Sequence, residues 1–130
     1  MADHDYFAPA QKLQRPLIRA RETVPREPTR HGALKRVLLR REEALSALCF
    51  VNEVEVAPGE TIHSHAHESM QEVFYLLEGE GLMKLGEQSL TVREGDCLLV
   101  PPLLPHEITN AGPLPLRFLC FGVEIAPPTG

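Results

Sequence analysis

The sequence predicts an all-β fold, an antiparallel sandwich or barrel, that follows an irregular N-terminal arm. Short runs of β-branched, aromatic and aliphatic residues recur at nearly regular intervals after residue 33, and glycine or proline separates them. The chain holds 12 prolines and 9 glycines in 130 residues, which disfavours long helices. Its composition, 43% hydrophobic and 24% charged, is typical of one folded domain.

Residues 1–33 form the predicted arm, in which prolines and arginines are interspersed without a periodic apolar pattern. Residues 1–41 hold ten of the 13 Lys and Arg but four of the 18 Asp and Glu, so the rest of the chain is strongly acidic. Two interpretations stay open: a partly disordered leader, or a cationic segment that lies along the acidic body, including that of a second subunit. The acidic body disfavours a nucleic-acid partner.

The barrel is predicted over residues 34–126, as a succession of short strands. A helical turn within residues 41–47 is the one predicted interruption. Turn signals separate the strands, and Gly86–Ser89 predicts a hairpin. The predicted strands cover residues 37–39, 48–56, 61–67, 73–77, 82–85, 90–92, 97–100, 106–110 and 116–123.

The cysteines and the apolar runs bear on the compartment. No run approaches the roughly 20 apolar residues of a membrane helix, and the N-terminus lacks the pattern of a secretory signal. Cys49, Cys97 and Cys120 are far apart and include no CxxC pair, which disfavours a disulfide framework. We therefore expect a cytoplasmic protein without a membrane partner.

Four of the six histidines fall between residues 63 and 106, where they point to a metal. His63, His65 and His67 alternate on one predicted strand and would share a face. Glu72 then begins the apolar, inward face of the next strand, where a charge is costly unless a cation compensates it. His106 opens a later strand and shares its face with apolar residues.

These residues stand in two motifs that resemble those of the cupin family. The first motif is matched at every position by Gly59, His65, His67, Glu72 and Gly79. The glycines stand at predicted turns, where a positive φ or a tight bend is expected.

The second motif is matched by Gly95, Pro101, His106 and Asn110, but Leu103 stands where the family usually has glycine. The 15 residues between the motifs are few, as in the small single-domain bacterial, or conserved-barrel, cupins with RmlC-like folds. The resemblance covers about residues 34–124. It implies a double-stranded β-helix, or jelly-roll barrel, and we expect a homodimer.

By this resemblance, His65, His67, Glu72 and His106 bind one divalent metal ion inside the barrel. Three imidazoles and one carboxylate suit Fe²⁺, Mn²⁺, Ni²⁺, Zn²⁺ or Cu²⁺, whereas Ca²⁺ and Mg²⁺ prefer oxygen ligands. Four protein ligands leave two positions of an octahedral ion for water, dioxygen or a chelating small molecule. A cupin barrel with a degenerate site is the alternative.

The resemblance implies a metal-dependent enzyme, an oxygenase or an isomerase, lyase or cyclase, whose substrate is a small oxygen-rich organic molecule. A module that binds an organic acid or a sugar without catalysis is the alternative. His63 is the candidate acid or base, or else it lines the pocket edge, and Tyr75 and Cys120 are further candidates for proton transfer. An inward basic residue would indicate an anion binder, and the candidates on or near strands are Arg36, Arg40, Lys84 and Arg117.

Overall fold

The computed structural model describes residues 16–125, which form two antiparallel sheets packed face to face. Two three-residue 3₁₀ helices, Arg21–Thr23 and Arg41–Glu43, accompany them. The strands of this part of the chain are β1 (Glu27–Pro28), β2 (Leu34–Arg40), β3 (Leu48–Val56), β4 (Thr61–His65), β5 (Met70–Glu78), β6 (Glu80–Leu85), β7 (Gln88–Arg93), β8 (Cys97–Val100), β9 (His106–Thr109) and β10 (Leu116–Glu124).

One sheet has the strand order β1-β2-β3-β10-β5-β8, and the other has the order β4-β9-β6-β7. The predicted all-β barrel is confirmed by this arrangement. None of the helices within residues 16–125 has the length and apolar character that crossing a membrane requires. Residues 1–15 of the predicted arm and residue 126 of the predicted barrel lie outside the described residues.

Several strand ends differ from the prediction. β5 begins at Met70, within a polar stretch that reads as a turn, because Met70 and Gln71 pair with the end of β10. Pairing with a neighbouring strand thus overrides a weak local preference. The hairpin between β6 and β7 needs only Gly86 and Glu87, and Gly86 has a φ of +60°. The predicted helical turn is limited to Arg41–Glu43.

The core lies between the sheets and follows the two-residue period of the strands. On β10 the buried residues are Leu116, Phe118, Cys120 and Gly122, with partly buried residues between them. The same alternation on β5 places Glu72 on the inward face beside apolar neighbours, as the sequence predicts. The largest fully buried side chains of the described chain are Phe118, Leu76, Met83, Leu116, Val56, Val92, Val100 and Asn110.

The buried Asn110 of the second motif has a structural task. Its Nδ2 donates to the carbonyl oxygens of Val56 and Leu114 at 2.9 and 2.8 Å. Its Oδ1 accepts from the N–H of Gly112 at 3.0 Å. Because all of these bonds go to backbone groups, Asn110 holds the loop before β10 against the end of β3.

Leu103, the departure from the second motif, adopts the left-handed backbone conformation that glycine accepts without strain. Its φ is +70°, and its side chain is 70% exposed. Its N–H donates to the carbonyl oxygen of His67 at 2.7 Å. The turn before His106 is thus tied to the loop that carries His67, at the cost of backbone strain that an L-residue bears in this region.

The described part of the predicted arm, residues 16–33, lies on the barrel of its own chain. Ion pairs attach it to the outer face of β3, through Arg21–Glu53 at 2.6 Å and Arg26–Glu55 at 2.9 Å, and to the 3₁₀ helix that follows β2, through Arg19–Glu43 at 2.6 Å. The Glu53 carboxylate is 5% exposed, and Arg36 and Arg117 also contact it. Opposite charges thus hold the arm to the body, as one of the two interpretations expects.

The arm also bridges the edges of the two sheets. β1 pairs with β2, while the carbonyl oxygen of His31 accepts a hydrogen bond of 2.8 Å from the N–H of His63 on β4. Between these points Gly32 has a φ of +103°, and a Cβ there would lie 2.5 Å from the carbonyl oxygen of Thr61. Only glycine permits this approach, so the segment 27–33 closes one side of the barrel.

We expect Leu103→Gly to raise the stability of the protein. Glycine accepts a positive φ without the penalty of about 1–2 kcal/mol that an L-residue bears, and it loses about 0.5–1 kcal/mol in backbone entropy. The net gain in the free energy of unfolding is about 0–1.5 kcal/mol, and urea denaturation measures it.

Leu99→Gly is the matched control, since Leu99 is also an exposed leucine but lies within β8. This variant should lose stability, because glycine weakens a strand and relieves no strain there. Equal losses in the free energy of unfolding of Leu103→Gly and Leu99→Gly would contradict the proposed backbone strain at Leu103.

Candidate metal centre

Four side chains from the two motifs meet inside the barrel: His65, His67, Glu72 and His106. Each offers one ligand atom, and these atoms all lie within 4.8 Å of one another. His65 ends β4, His67 follows it in the loop, Glu72 lies on β5 and His106 begins β9. The structure thus brings together the four residues that the resemblance implies, in a group that could hold one metal ion.

Strand pairing explains how distant segments converge. β4 pairs with β9, and His65 stands opposite His106. A register shift between Ile62 and His65 interrupts this ladder, so the alternation of the sequence does not continue through β4. The prediction that His63 shares a face with His65 and His67 is therefore corrected: His63 is exposed, and His67 lies beyond the end of the strand.

Backbone carbonyls orient two of the imidazoles. Nδ1 of His65 donates to the carbonyl oxygen of His63 at 2.8 Å, and Nδ1 of His106 donates to that of Leu104 at 3.0 Å. Since a carbonyl oxygen only accepts, the proton is placed on Nδ1, and Nε2 faces the centre. Such bonds are typical of histidines that bind metals through Nε2.

Glu72 is the acceptor at the middle of the group. Its Oε1 lies 3.0 Å from Nε2 of both His67 and His106, and its Oε2 accepts from the Cys120 thiol at 3.2 Å. Burial opposes ionisation, but the bond from His106, the nearby His67 and the Cys120 thiol together lower the pKa of Glu72. Glu72 is thus a carboxylate, the form that binds a cation.

Burial and Glu72 act on the neighbouring groups in different ways. Burial lowers the pKa of His65. Burial also acts to lower the pKa of His106, but the hydrogen bonds with Glu72 and Leu104 and the charge of Glu72 together outweigh it and raise that pKa. Burial, together with the charge of Glu72, raises the pKa of the Cys120 thiol well above its usual range. Cys120 therefore stays protonated and positions Glu72.

One polar atom of the group has no hydrogen-bond partner. Nε2 of His67 is buried and lies 3.0 Å from Glu72 Oε1, but it forms no hydrogen bond within the described chain. A buried polar atom without a partner is costly, and a metal ion bound by these four residues would satisfy it. The residues therefore fit the metal that their chemistry suggests.

The candidates for proton transfer are placed differently from expectation. His63 is exposed and does not line the cavity beside the centre, and Tyr75 is 43% exposed on a strand whose inward positions are Glu72 and Phe74. His31 of the arm, to which the sequence assigns no role, lines this cavity. Its ring stacks on that of His65, with 4.0 Å between centroids and 10° between planes.

A cavity of about 700 Å³ opens beside the four residues, and both sheets and the arm form its walls. This volume suits a small organic molecule. Its apolar lining includes Phe50, Phe74, Met83, Ile108 and Phe118.

Of the basic candidates only Arg40 lines this cavity. Arg36 and Arg117 bind Glu53, and Lys84 lies 3.7 Å from Glu107. Arg40 is exposed, at the end of β2. Apart from the exposed Arg40, the basic residues that the sequence singles out therefore do not line the cavity.

Comparisons with known proteins agree with this architecture. A family model described as the cupin domain matches residues 52–122. The chain is 36% identical over 92 residues to the protein MJ1618 of Methanocaldococcus jannaschii. The matched residues are 71% of this chain and 74% of MJ1618. It is 30% identical over 66 residues to an oxalate-binding protein of Thermotoga maritima, 51% of this chain and 54% of that one.

A similar fold occurs in a solved structure from Thermotoga maritima that is described as a predicted oxalate decarboxylase. The TM-score is 0.79, with 21% sequence identity, and the match covers 84% of this chain and all of the other. At this identity the likeness concerns the fold.

We expect Glu72→Gln to lose most of the affinity of the protein for a divalent transition metal. The amide keeps the shape of the side chain but removes the only charge among the four ligands, and loss of one ligand costs at least about 10- to 100-fold in affinity. Titration calorimetry with Zn²⁺ measures the change.

Glu107→Gln is the control, because Glu107 adjoins His106 and also lines the cavity but is outside the group of four. It should bind Zn²⁺ like the wild type. Wild-type affinity in Glu72→Gln would show that the ion binds elsewhere.

Proposed function

The chain belongs to the cupin family, and we propose on this basis that it is a divalent-metal enzyme that acts on a small oxygen-rich organic molecule. One observation carries the proposal. The buried, unpartnered Nε2 of His67 lies among three further ligand atoms at the wall of a cavity of about 700 Å³. A cation-binding group and a space for a substrate are thus adjacent.

We assign the metal to His65, His67, Glu72 and His106. Fe²⁺, Mn²⁺, Ni²⁺, Zn²⁺ and Cu²⁺ all suit three imidazoles and a carboxylate. When bound, such an ion polarises carbonyl, carboxylate or enol oxygens and stabilises negative charge that develops on them. An oxygenase would require a redox-active ion, whereas an isomerase, lyase or cyclase tolerates Zn²⁺.

The protein contributes orientation, exclusion of water and proton transfer. The carbonyl oxygens of His63 and Leu104 keep the rings of His65 and His106 in place, and the Cys120 thiol holds Glu72. Apolar walls exclude water and strengthen electrostatic interactions within the cavity. These groups therefore fix the site before a substrate enters.

We propose His31 as the group that accepts or donates a proton during the reaction. It is an imidazole that lines the cavity and is outside the group of four. His63, the candidate from the sequence, is exposed and does not belong to the lining. A histidine at the wall can hold a proton at one ring nitrogen and pass it to a bound substrate.

A binding module without catalysis is the second candidate. The similarity to a protein named as oxalate-binding supports it, because that name describes binding alone. The two candidate functions differ in the role of His31. An enzyme requires proton transfer by the His31 imidazole, whereas in a binding module the imidazole would only form part of the cavity wall.

We also propose that the protein forms a homodimer in the cytoplasm. Away from the arm, the outer face of the six-stranded sheet carries exposed Leu99 on β8, at 58%, and Tyr75 on β5, at 43%. A second copy would cover this face. The cysteines Cys49, Cys97 and Cys120 form no disulfide, which is typical of a reducing compartment.

Protein purified without chelator should contain about one equivalent of transition metal per chain by elemental analysis. We expect turnover of an organic acid or enol substrate by the wild type, and a loss of about 10²- to 10⁴-fold in kcat for His31→Gln, which removes the proton-transfer group. Metal content should remain unchanged in this variant. Full activity of His31→Gln would contradict the proposed role, and ligand binding without turnover would favour the binding module.

Leu99→Glu should convert the dimer to a monomer, because a charge on the proposed interface is costly to bury. Sedimentation velocity measures the mass. Leu82→Glu is the control, since Leu82 is exposed on β6 of the other sheet. A monomeric wild type, or a dimer in Leu99→Glu, would overturn this interface.

A further inference from the structure

Lys35 on β2 and Asn52 on β3 are two of the polar side chains in the cavity that the metal centre does not use. Both line the cavity. Asn52 is only 8% exposed, and its Oδ1 is buried without a hydrogen-bond partner in the described chain. Lys35 is partly buried. Neither was identified from the sequence, where Lys35 belongs to a basic stretch and Asn52 to an alternating strand.

Strand register places both residues on the inner face of the six-stranded sheet. Asn52 stands opposite Val37 of β2 and opposite Cys120 of β10. Lys35 lies two residues before the buried Val37, so it shares that face. Lys35 and Asn52 are therefore diagonal neighbours across β2 and β3, a spacing at which long side chains act on the same ligand.

Lys35 has no carboxylate partner among residues 16–125. Arg36, the next residue, faces outward and binds Glu53. Asn52, the diagonal neighbour of Lys35, stands opposite Cys120, whose thiol donates to Glu72. Lys35 and Asn52 therefore lie on the side of the cavity that adjoins the metal centre.

The Lys35 ammonium lacks a counter-charge and Asn52 Oδ1 lacks a hydrogen-bond donor within the described chain. A lysine charge among apolar walls is costly without a counter-charge, and a buried amide oxygen is costly without a donor. The walls around them include Phe50, Val54 and Phe118, which supply neither. A ligand that satisfies both therefore carries a negative charge and a hydroxyl group, joined by a carbon body.

The charge of the metal centre adds a second requirement. Glu72 contributes the only negative charge of the four ligand residues, so a divalent ion held there leaves a net charge of +1. Lys35 adds another positive charge in the same cavity. The other charged side chains of the lining are either exposed to water, as are Arg30, Arg40 and Glu42, or paired, as are Arg41 with Glu124 and Glu107 with Lys84. A ligand with two carboxylates would neutralise the charge of the metal centre and that of Lys35, because a pair of opposite charges is stabilising in a water-poor cavity.

From these observations, and resting on the proposed function, we propose that the ligand is a hydroxylated dicarboxylate. One carboxylate faces His65, His67, Glu72 and His106, the other pairs with Lys35 Nζ, and the hydroxyl donates to Asn52 Oδ1. A neutral sugar would leave Lys35 without a counter-charge. A phosphate ester would find one lysine and one acceptor oxygen where phosphate prefers several donors.

The test uses full-length protein loaded with Zn²⁺ and measures binding by calorimetry. The probes are 2-hydroxyglutarate and 3-hydroxyglutarate, with glutarate, which lacks the hydroxyl, and 2-hydroxypentanoate, which lacks the distal carboxylate. We expect at least one hydroxyglutarate to bind about 10- to 100-fold more tightly than 2-hydroxypentanoate, as for a hydrogen bond to a charged group. Glutarate should bind about 5- to 10-fold more weakly than that hydroxyglutarate.

Two variants assign these preferences to residues. Lys35→Met keeps the length and apolar stem of the side chain, and it should bind the hydroxyglutarates and 2-hydroxypentanoate equally. Lys35→Arg should keep the preference for the diacid. Asn52→Leu should lose the preference for the hydroxyl while the preference for the second carboxylate remains. Each variant should still bind one equivalent of Zn²⁺, which shows that it folds.

Unchanged discrimination in Lys35→Met, or tighter binding of 3-phosphoglycerate or glucose than of both hydroxyglutarates, would overturn the proposed ligand class. Neither result affects the metal centre, because Zn²⁺ binding is measured separately. Loss of Zn²⁺ binding from the wild type would instead overturn the proposed function.

Discussion

A buried carboxylate is the constraint on which the rest of the structure depends. Glu72 lies on the inward face of β5, where its charge is costly unless hydrogen bonds and a cation compensate it. Its two oxygens contact His67, His106 and Cys120, so three separate segments must reach it. The pairing of β4 with β9 brings His65 to the same place. The barrel is thus arranged so that each neighbour of Glu72 comes from a different strand or loop.

Backbone groups hold this arrangement more firmly than side chains alone could. Carbonyl oxygens orient the rings of His65 and His106, and the strained Leu103 donates its N–H to the carbonyl oxygen of His67. These backbone bonds act together with the contact of His106 with Glu72 and the stacking of His31 on His65. The apolar walls of the cavity can then remain close to the centre, where they exclude water.

The sequence predicts the strands and the four candidate ligands because both depend on short, regular spacing. His65, His67, Glu72 and His106 lie within motifs whose intervals can be counted along the chain. The same spacing identifies Leu103 as a departure from the second motif, but its positive φ is a finding of the structure.

Other features depend on contacts between distant residues, and so the sequence could not reveal them. His31 reaches the cavity only because the arm bonds to β4. Lys35 and Asn52 face inward because of the registers of β2 and β3, and the shift in β4 removes His63 from the side of its neighbours. The partly exposed ion pairs that attach the arm weaken as ionic strength rises. Salt would therefore loosen the wall that carries His31, and it would shorten the residence time of a bound molecule before it disturbed the barrel strands.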